Sequence, residues 1–289
     1  MISVQNISFR IGQKTILHKL SFRVNAGELT VVLGQNGAGK STLLSLLSGE
    51  QKPAEGKILL GDDELHRIPT RQLAHRRAVL SQQYPAALPF NCEEIVMMGR
   101  YPHFSNQPAV ADKDIVQQCM EDMQVQGFAK RSYQTLSGGE QQRVQMARVL
   151  AQLRTDSEHE QPRPFSVPLK AMKANWPGNG KLLLLDEPTA SMDCLYQQLC
   201  LSKAKELAGQ GYTVLVILHD LNLAAQFADT ILLLKQGRLV TTGTARAVLQ
   251  PSFIAEAYDM EVDVLESESH NFPILIPAAH KSKPVLIRS

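Results

Sequence analysis

The sequence predicts an α/β fold built on a largely parallel sheet, with a β-rich N-terminal region and helices inserted in the middle. Three observations carry that expectation. Short, largely apolar runs such as Leu29–Leu33 and Leu182–Leu185 read as strands buried on both faces. Helical stretches alternate with them, as in successive βαβ units. From Tyr84 to about Leu153 the patterning turns mostly helical. With 289 residues, there is chain enough for one large or two small domains and a sizeable core.

Taken in order, Ile2, Val4 and Ile7 open the β-rich region. Leu17, Leu20, Phe22 and Val24 continue it to a turn at Asn25-Ala26-Gly27. The Leu29–Leu33 strand runs into a glycine-rich loop, and residues 41–49 have helical character. A hairpin with Gly56 and Gly61 leads to a strand at Ala78-Val79-Leu80. Helices are expected over 93–98, 112–123 and 141–153. Strands are then expected at 182–185, 213–218 and 231–234, with a helix over 195–208. Residues 155–180, rich in Pro and polar residues and holding the lone Trp176, read as a surface loop. The tail from Glu261 has β-like pieces at 274–276 and 285–287, separated by prolines.

Composition narrows the class. Thirty basic and 28 acidic side chains leave a net charge of +2, too small to mark a nucleic-acid binder. No window approaches the ~20 apolar residues of a membrane span. The start, MISVQNISFR, lacks the basic-then-apolar order of a secretory signal. Cys92, Cys119, Cys194 and Cys200 show neither metal nor disulfide spacing, so a reducing cytoplasm is expected.

Two motifs carry chemistry on their own terms. Gly34-Gln35-Asn36-Gly37-Ala38-Gly39-Lys40-Ser41 fits G-x-x-x-x-G-K-[ST] between a strand and a helix. Glycines let backbone amides curl around phosphate oxygens, and the helix N-terminus adds partial positive charge. Lys40 suits the β- and γ-phosphates, and the Ser41 hydroxyl suits Mg2+. Residues 34–42, Thr42 included, therefore form the expected nucleotide cradle. The strand Leu182–Leu185 ends in Asp186-Glu187, at the edge where ligands of a parallel sheet gather. Asp186 suits Mg2+, directly or through water. Glu187 suits a general base acting on the water that attacks the γ-phosphate.

Leu136-Ser137-Gly138-Gly139-Glu140 taken alone could be an N-cap serine and a flexible turn. With the two motifs above it resembles the signature of ATP-binding cassette (ABC) ATPases, and the resemblance runs from about residue 2 to 250. It implies an α/β P-loop cassette with a RecA-like parallel-sheet core, an N-terminal antiparallel β region and an inserted helical subdomain at about 84–150. The insertion at 155–180 and a tail at 251–289 complete the expected layout. The resemblance also implies roles. Gln82 matches the Q-loop glutamine that contacts Mg2+ and the attacking water. Ser137, Gly138 and Gly139 match the signature capping an ATP held by the partner subunit. Ser191-Met192-Asp193 matches the D-loop, and His219 the switch histidine at the γ-phosphate. One phosphate loop and one signature per chain then imply a head-to-tail homodimer.

In one place the chain departs from the family pattern. The aromatic residue on which family members stack adenine is absent: Ile11 precedes Gly12, and the nearest aromatic is Phe9. Either Ile11 makes an apolar contact with the base or Phe9 substitutes, unless Phe9 belongs to the core.

Glu93-Glu94-Ile95-Val96-Met97-Met98-Gly99-Arg100-Tyr101-Pro102-His103 is similar to a segment of importers for iron-siderophores, vitamin B12 and haem. In that group the segment faces the coupling helix of the permease. Ala147–Leu153 and the Pro-rich insertion are similar to haem import ATPases. The resemblance thus implies a peripheral subunit on the cytoplasmic face of the bacterial inner membrane. It would energise haem uptake through separate permease subunits, with a periplasmic substrate-binding protein as an indirect partner. The alternatives are the same motor for a ferric siderophore or cobalamin, or a non-transport ABC ATPase. His103, His270 and His280 are expected to be surface or structural histidines rather than haem ligands.

Overall fold

A computed structural model describes residues 1–81, 89–155, 180–266 and 271–278. Gln82, most of the Pro-rich insertion, the expected strand at 285–287, His270 and His280 lie outside the described residues.

The centre is a six-stranded sheet of β3 (Leu29–Leu33), β6 (Arg77–Leu80), β7 (Leu182–Asp186), β8 (Thr213–Ile217), β9 (Thr230–Lys235) and β10 (Arg238–Gly243). Its order is β10-β9-β3-β8-β7-β6, parallel except for the β9–β10 hairpin at one edge. Strands β3, β7 and β8 are buried at every residue. Alternate residues explain why. Val31, Leu183, Leu185 and Val216 face one apolar cluster, and Val32, Leu184, Leu215 and Ile217 face another. Both faces of the sheet are covered, which is what an unbroken apolar run without polar alternation requires.

The second cluster is closed by α1 (Lys40–Leu47) and by the antiparallel sheet of β1 (Ile2–Ile11), β2 (Lys14–Val24), β4 (Glu55–Leu60) and β5 (Asp63–Glu64), ordered β2-β1-β4-β5. A helix that the sequence reading passed over, α2 (Thr70–Arg76), precedes β6. It buries only Leu73, so its apolar signal is thin.

The first cluster contains the inserted helices α3 (Cys92–Met97), α4 (Val110–Asp122) and α5 (Gly138–Leu153). Asn91 caps α3 in a reciprocal box with Glu94, which satisfies two backbone donors at the helix start. The importer-like segment turns inward to hold α5. Arg100, 2% exposed, pairs with the also buried Asp112 at 2.9 Å and donates to the Ala151 and Arg154 carbonyls at the C-terminal end of α5. His103 Nε2 lies 2.8 Å from the Gln152 carbonyl, and burial pushes this imidazole's pKa down, so its role here is structural. A β-carbon at Gly99 would sit 2.2 Å from the Arg148 carbonyl oxygen, so only glycine permits the contact.

Among the described residues the remaining α-helices are α6 (Cys194–Gly209), α7 (Leu221–Phe227), α8 (Ala245–Val248) and α9 (Pro251–Tyr258). Proline at the first position of α9 suits its free N-terminus, and Ile254 and Ala257 are buried. A hairpin of β11 (Val262–Leu265) and β12 (Ile274–Pro277) follows. Among the described residues no helix is long and apolar enough to cross a membrane.

Candidate nucleotide site

Parallel register brings the functional segments together. Val32 pairs with Ile217, and Ile217 with Asp186, so β3, β8 and β7 end side by side. The loop after β3 carries residues 34–39, β7 delivers Asp186 and Glu187, and the turn after β8 carries His219. A cleft of about 570 Å³ opens there, lined by Lys14, Ile16, Asn36, Gly37, Gly39, Lys40, Ser41, Thr42, Glu187 and His219.

The loop is set by its backbone. Gly39, at the N-cap of α1, has φ 99°, and a β-carbon on it would meet Leu17 at 2.7 Å. A side chain there would therefore suffer backbone strain and collision together. The Lys40 ammonium folds back onto the Gly34 and Gln35 carbonyls at 2.7 and 3.1 Å. Burial lowers its pKa, while the Glu187 and Asp186 charges pull it back up.

Asp186 is the least comfortable group in the site. Burial raises its pKa, and the neighbouring Glu187 charge raises it further; Lys40 and a Ser41 hydrogen bond offset part of this. Its Oδ1 is buried, with no hydrogen-bond donor at it among the described residues. A carboxylate oxygen in that state, beside a serine hydroxyl at a helix start, fits a hard divalent cation such as Mg2+. Among the described residues no group of three or more His, Cys, Asp or Glu could hold a metal by itself.

Glu187 sits at φ 49°, its amide donating to the Ile217 carbonyl at 3.2 Å. Its carboxylate hydrogen-bonds His219 Nε2. The expected base and the expected switch histidine thus form one pair on the cleft wall.

Other expected residues lie elsewhere. Gly34, Gln35 and Ala38 do not line the cleft. The Gly34 amide donates to the Tyr258 hydroxyl at 2.9 Å, the Gln35 amide group bonds the Tyr258 carbonyl, and the Ala38 carbonyl accepts from the Gly237 amide. Ser137, Gly138 and Gly139 are also outside it. Ser137 caps α5 in a box with Glu140, and a β-carbon at Gly139 would lie 2.7 Å from the Ser191 carbonyl oxygen. The expected signature is therefore packed on Ser191 of the expected D-loop in its own chain. Asp193 and Asp220 cap α6 and α7. Ile11 is 61% exposed and away from the cleft lining, while Phe9 packs on the core. Sequence reasoning missed Lys14 and Ile16 on the cleft wall, and Tyr258. Ile16 had a weak signal as an apolar residue at the mouth of β2; Tyr258 had none.

The fold and this loop-and-carboxylate constellation define a nucleotide-binding cassette. The ABC transporter family matches residues 17–155, and the chain belongs to the ATP-binding subunits of ABC transporters. It is 42% identical over 277 residues to the hemin import ATP-binding protein HmuV of Pseudomonas aeruginosa, covering 96% of this chain and 99% of that protein. It superposes with a TM-score of 0.75 and 27% identity on a chain of a transporter assigned to the metal-chelate type, solved facing inward; the match covers 96% of this chain and 98% of that one. The dimeric bacterial cassette MJ0796 shares the fold, with a TM-score of 0.68, 23% identity and coverage of 85% and 99%.

Proposed function

We propose that this chain is the ATP-hydrolysing subunit of an importer that moves hemin through separate membrane permease subunits, working at the cytoplasmic face of the bacterial inner membrane. A periplasmic binding protein would deliver the cargo to the permease. The observation that carries the cargo is 42% identity to a hemin import ATP-binding protein along 96% of the chain. The cassette proper is assigned to residues 1–250, with the helical subdomain at about 84–150, the insertion at 155–180 and the tail at 251–289.

The residue roles follow from the cleft. Amides of residues 37 and 39–42 at the start of α1 cradle phosphate oxygens, and Lys40 exchanges its two loop carbonyls for the β- and γ-phosphates. Ser41, Asp186 and Gln82 would hold Mg2+, which when bound neutralises phosphate charge. Glu187 accepts the proton of the attacking water, and its bond to His219 keeps the carboxylate turned into the cleft. Ser137, Gly138 and Gly139 act in trans, because they do not line their own chain's cleft. Two copies arranged head to tail, each closing the other's site, satisfy that requirement. Stronger binding of ATP by the closed pair than by the open one supplies the stroke.

Reconstitution with the cognate permease tests the cargo. Hemin uptake that depends on ATP is expected. Transport of ferrichrome or cobalamin with no hemin uptake would overturn the cargo while leaving the motor intact.

A further inference from the structure

The helix α9 and the hairpin after it lie outside the motifs of the cassette, yet they touch both arms of the nucleotide site. At the phosphate loop, the Tyr258 hydroxyl accepts the Gly34 amide at 2.9 Å. The Tyr258 carbonyl accepts from the Gln35 side chain, whose nitrogen also lies 3.4 Å from Asp259 Oδ2. Lys235, at the end of β9, bonds the Glu256 carbonyl and Asp259, tying the same helix end to the sheet. At the switch histidine, Asn222 on α7 makes two bonds to the Leu275 backbone of the hairpin, at 3.1 and 2.8 Å.

The chemistry of the Tyr258 contact is specific. The Gly34 amide is not on the cleft wall, so phosphate has no claim on it, and it needs an acceptor within the protein. A phenol placed by a helix supplies one from 224 residues away in sequence. Burial pushes this phenol up to about 12, so it remains a neutral hydroxyl across the physiological range. The loop's first two residues are thereby fixed before any nucleotide arrives, and ordering that binding would otherwise have to supply is already in place.

We propose that Tyr258 is a positioning residue for the phosphate loop, and that the C-terminal end of α9, at Tyr258 and Asp259, acts as a clasp that presets this loop for ATP. The proposal rests on the ATPase reading above. Its variants are Tyr258→Phe, which keeps the ring and removes the acceptor, and Asp259→Gly, an exposed site at φ 53° where glycine is at ease. Each is compared with the wild-type full-length chain by steady-state ATPase kinetics, by titration with a fluorescent ATP analogue, and by thermal melting.

Tyr258→Phe is expected to raise the KM for ATP and the analogue Kd about fivefold to tenfold, with kcat within twofold of wild type. Asp259→Gly is expected to raise KM about twofold to threefold with no loss of fold. An unchanged KM in both variants overturns the proposal, whether or not Tm falls, because a merely structural role moves Tm alone. If Tyr258→Phe fails to fold, the Asp259→Gly result decides by the same criterion. A wild-type chain that neither binds the analogue nor hydrolyses ATP overturns the ATPase reading instead.

Discussion

Replacing Glu187 by Gln removes one of two adjacent carboxylates and keeps the shape of the side chain. The amide can still hydrogen-bond His219 Nε2, so the pair on the cleft wall persists. What is lost is the proton acceptor. Removing a positioned general base costs ~10²- to 10⁴-fold in rate. At 1.36 kcal/mol per decade this is about 2.7 to 5.4 kcal/mol on the barrier. The ground state moves the other way. Glu187 is the main charge holding the Lys40 pKa up, and it is the charged neighbour that pushes Asp186 up. Without it, the site is less negative where ATP must enter, and Asp186 ionises more readily for Mg2+. The variant should therefore bind ATP at least as tightly as wild type while turning over at least a hundredfold more slowly, so that ATP-bound dimers accumulate. Phosphate release, titration with a fluorescent ATP analogue and size-exclusion chromatography with ATP measure the three quantities. Turnover within tenfold of wild type, or weaker ATP binding, refutes the assignment of Glu187.

Other expectations follow from single contacts. Asp186→Asn should abolish Mg2+-dependent ATPase activity and raise the melting temperature of the nucleotide-free chain. The folded pKa of Asp186 lies above its unfolded value, so ionisation costs stability. The gain over wild type should thus be absent below the ordinary carboxylate range, grow as pH rises through it, and level off above the raised pKa. Melting curves from pH 3.5 to 8 check this, and a constant gain would contradict it. Arg100→Met leaves Asp112 buried without its partner, costing about 3 to 5 kcal/mol; a fall in Tm of less than ~3 °C would count against the clamp. Ile16→Ala should raise the KM for ATP a few-fold, whereas Phe9→Ala should lower Tm and leave KM alone, since only Ile16 lines the cleft. The reverse pattern would return the base contact to Phe9.

Much of this was readable from the chain because the signals are local. A run such as Leu182–Leu185, four leucines in succession, admits few environments other than a doubly covered strand, and the phosphate loop's spacing is its mechanism. The same reading placed the start of α5 at Gln141, three residues late, because two glycines look like a turn. The Ser137–Glu140 box turns them into the first helical residues. The inward role of Gly99, Arg100 and His103 was hidden for another reason. A buried arginine is unusual, and only the facing Asp112 and two bare carbonyls at the end of α5 explain it. Tyr258 was beyond reach, since nothing near it in sequence indicates a partner 224 positions away.

The arginine clamp and the serine cap sit at opposite ends of one helix. Sixteen residues of α5 span about 24 Å, and its sides are packed against α3, α4 and β6. Such a rod transmits displacement with little loss, because compressing it means straining many hydrogen bonds at once. A push on the turn around Tyr101, exposed at the surface, would reach Ser137 at the far end if α5 moves as one body. The importer-like segment and the expected signature are thus joined by one helix, and the stiffness of α5 would set how much of a stroke at one end reaches the other.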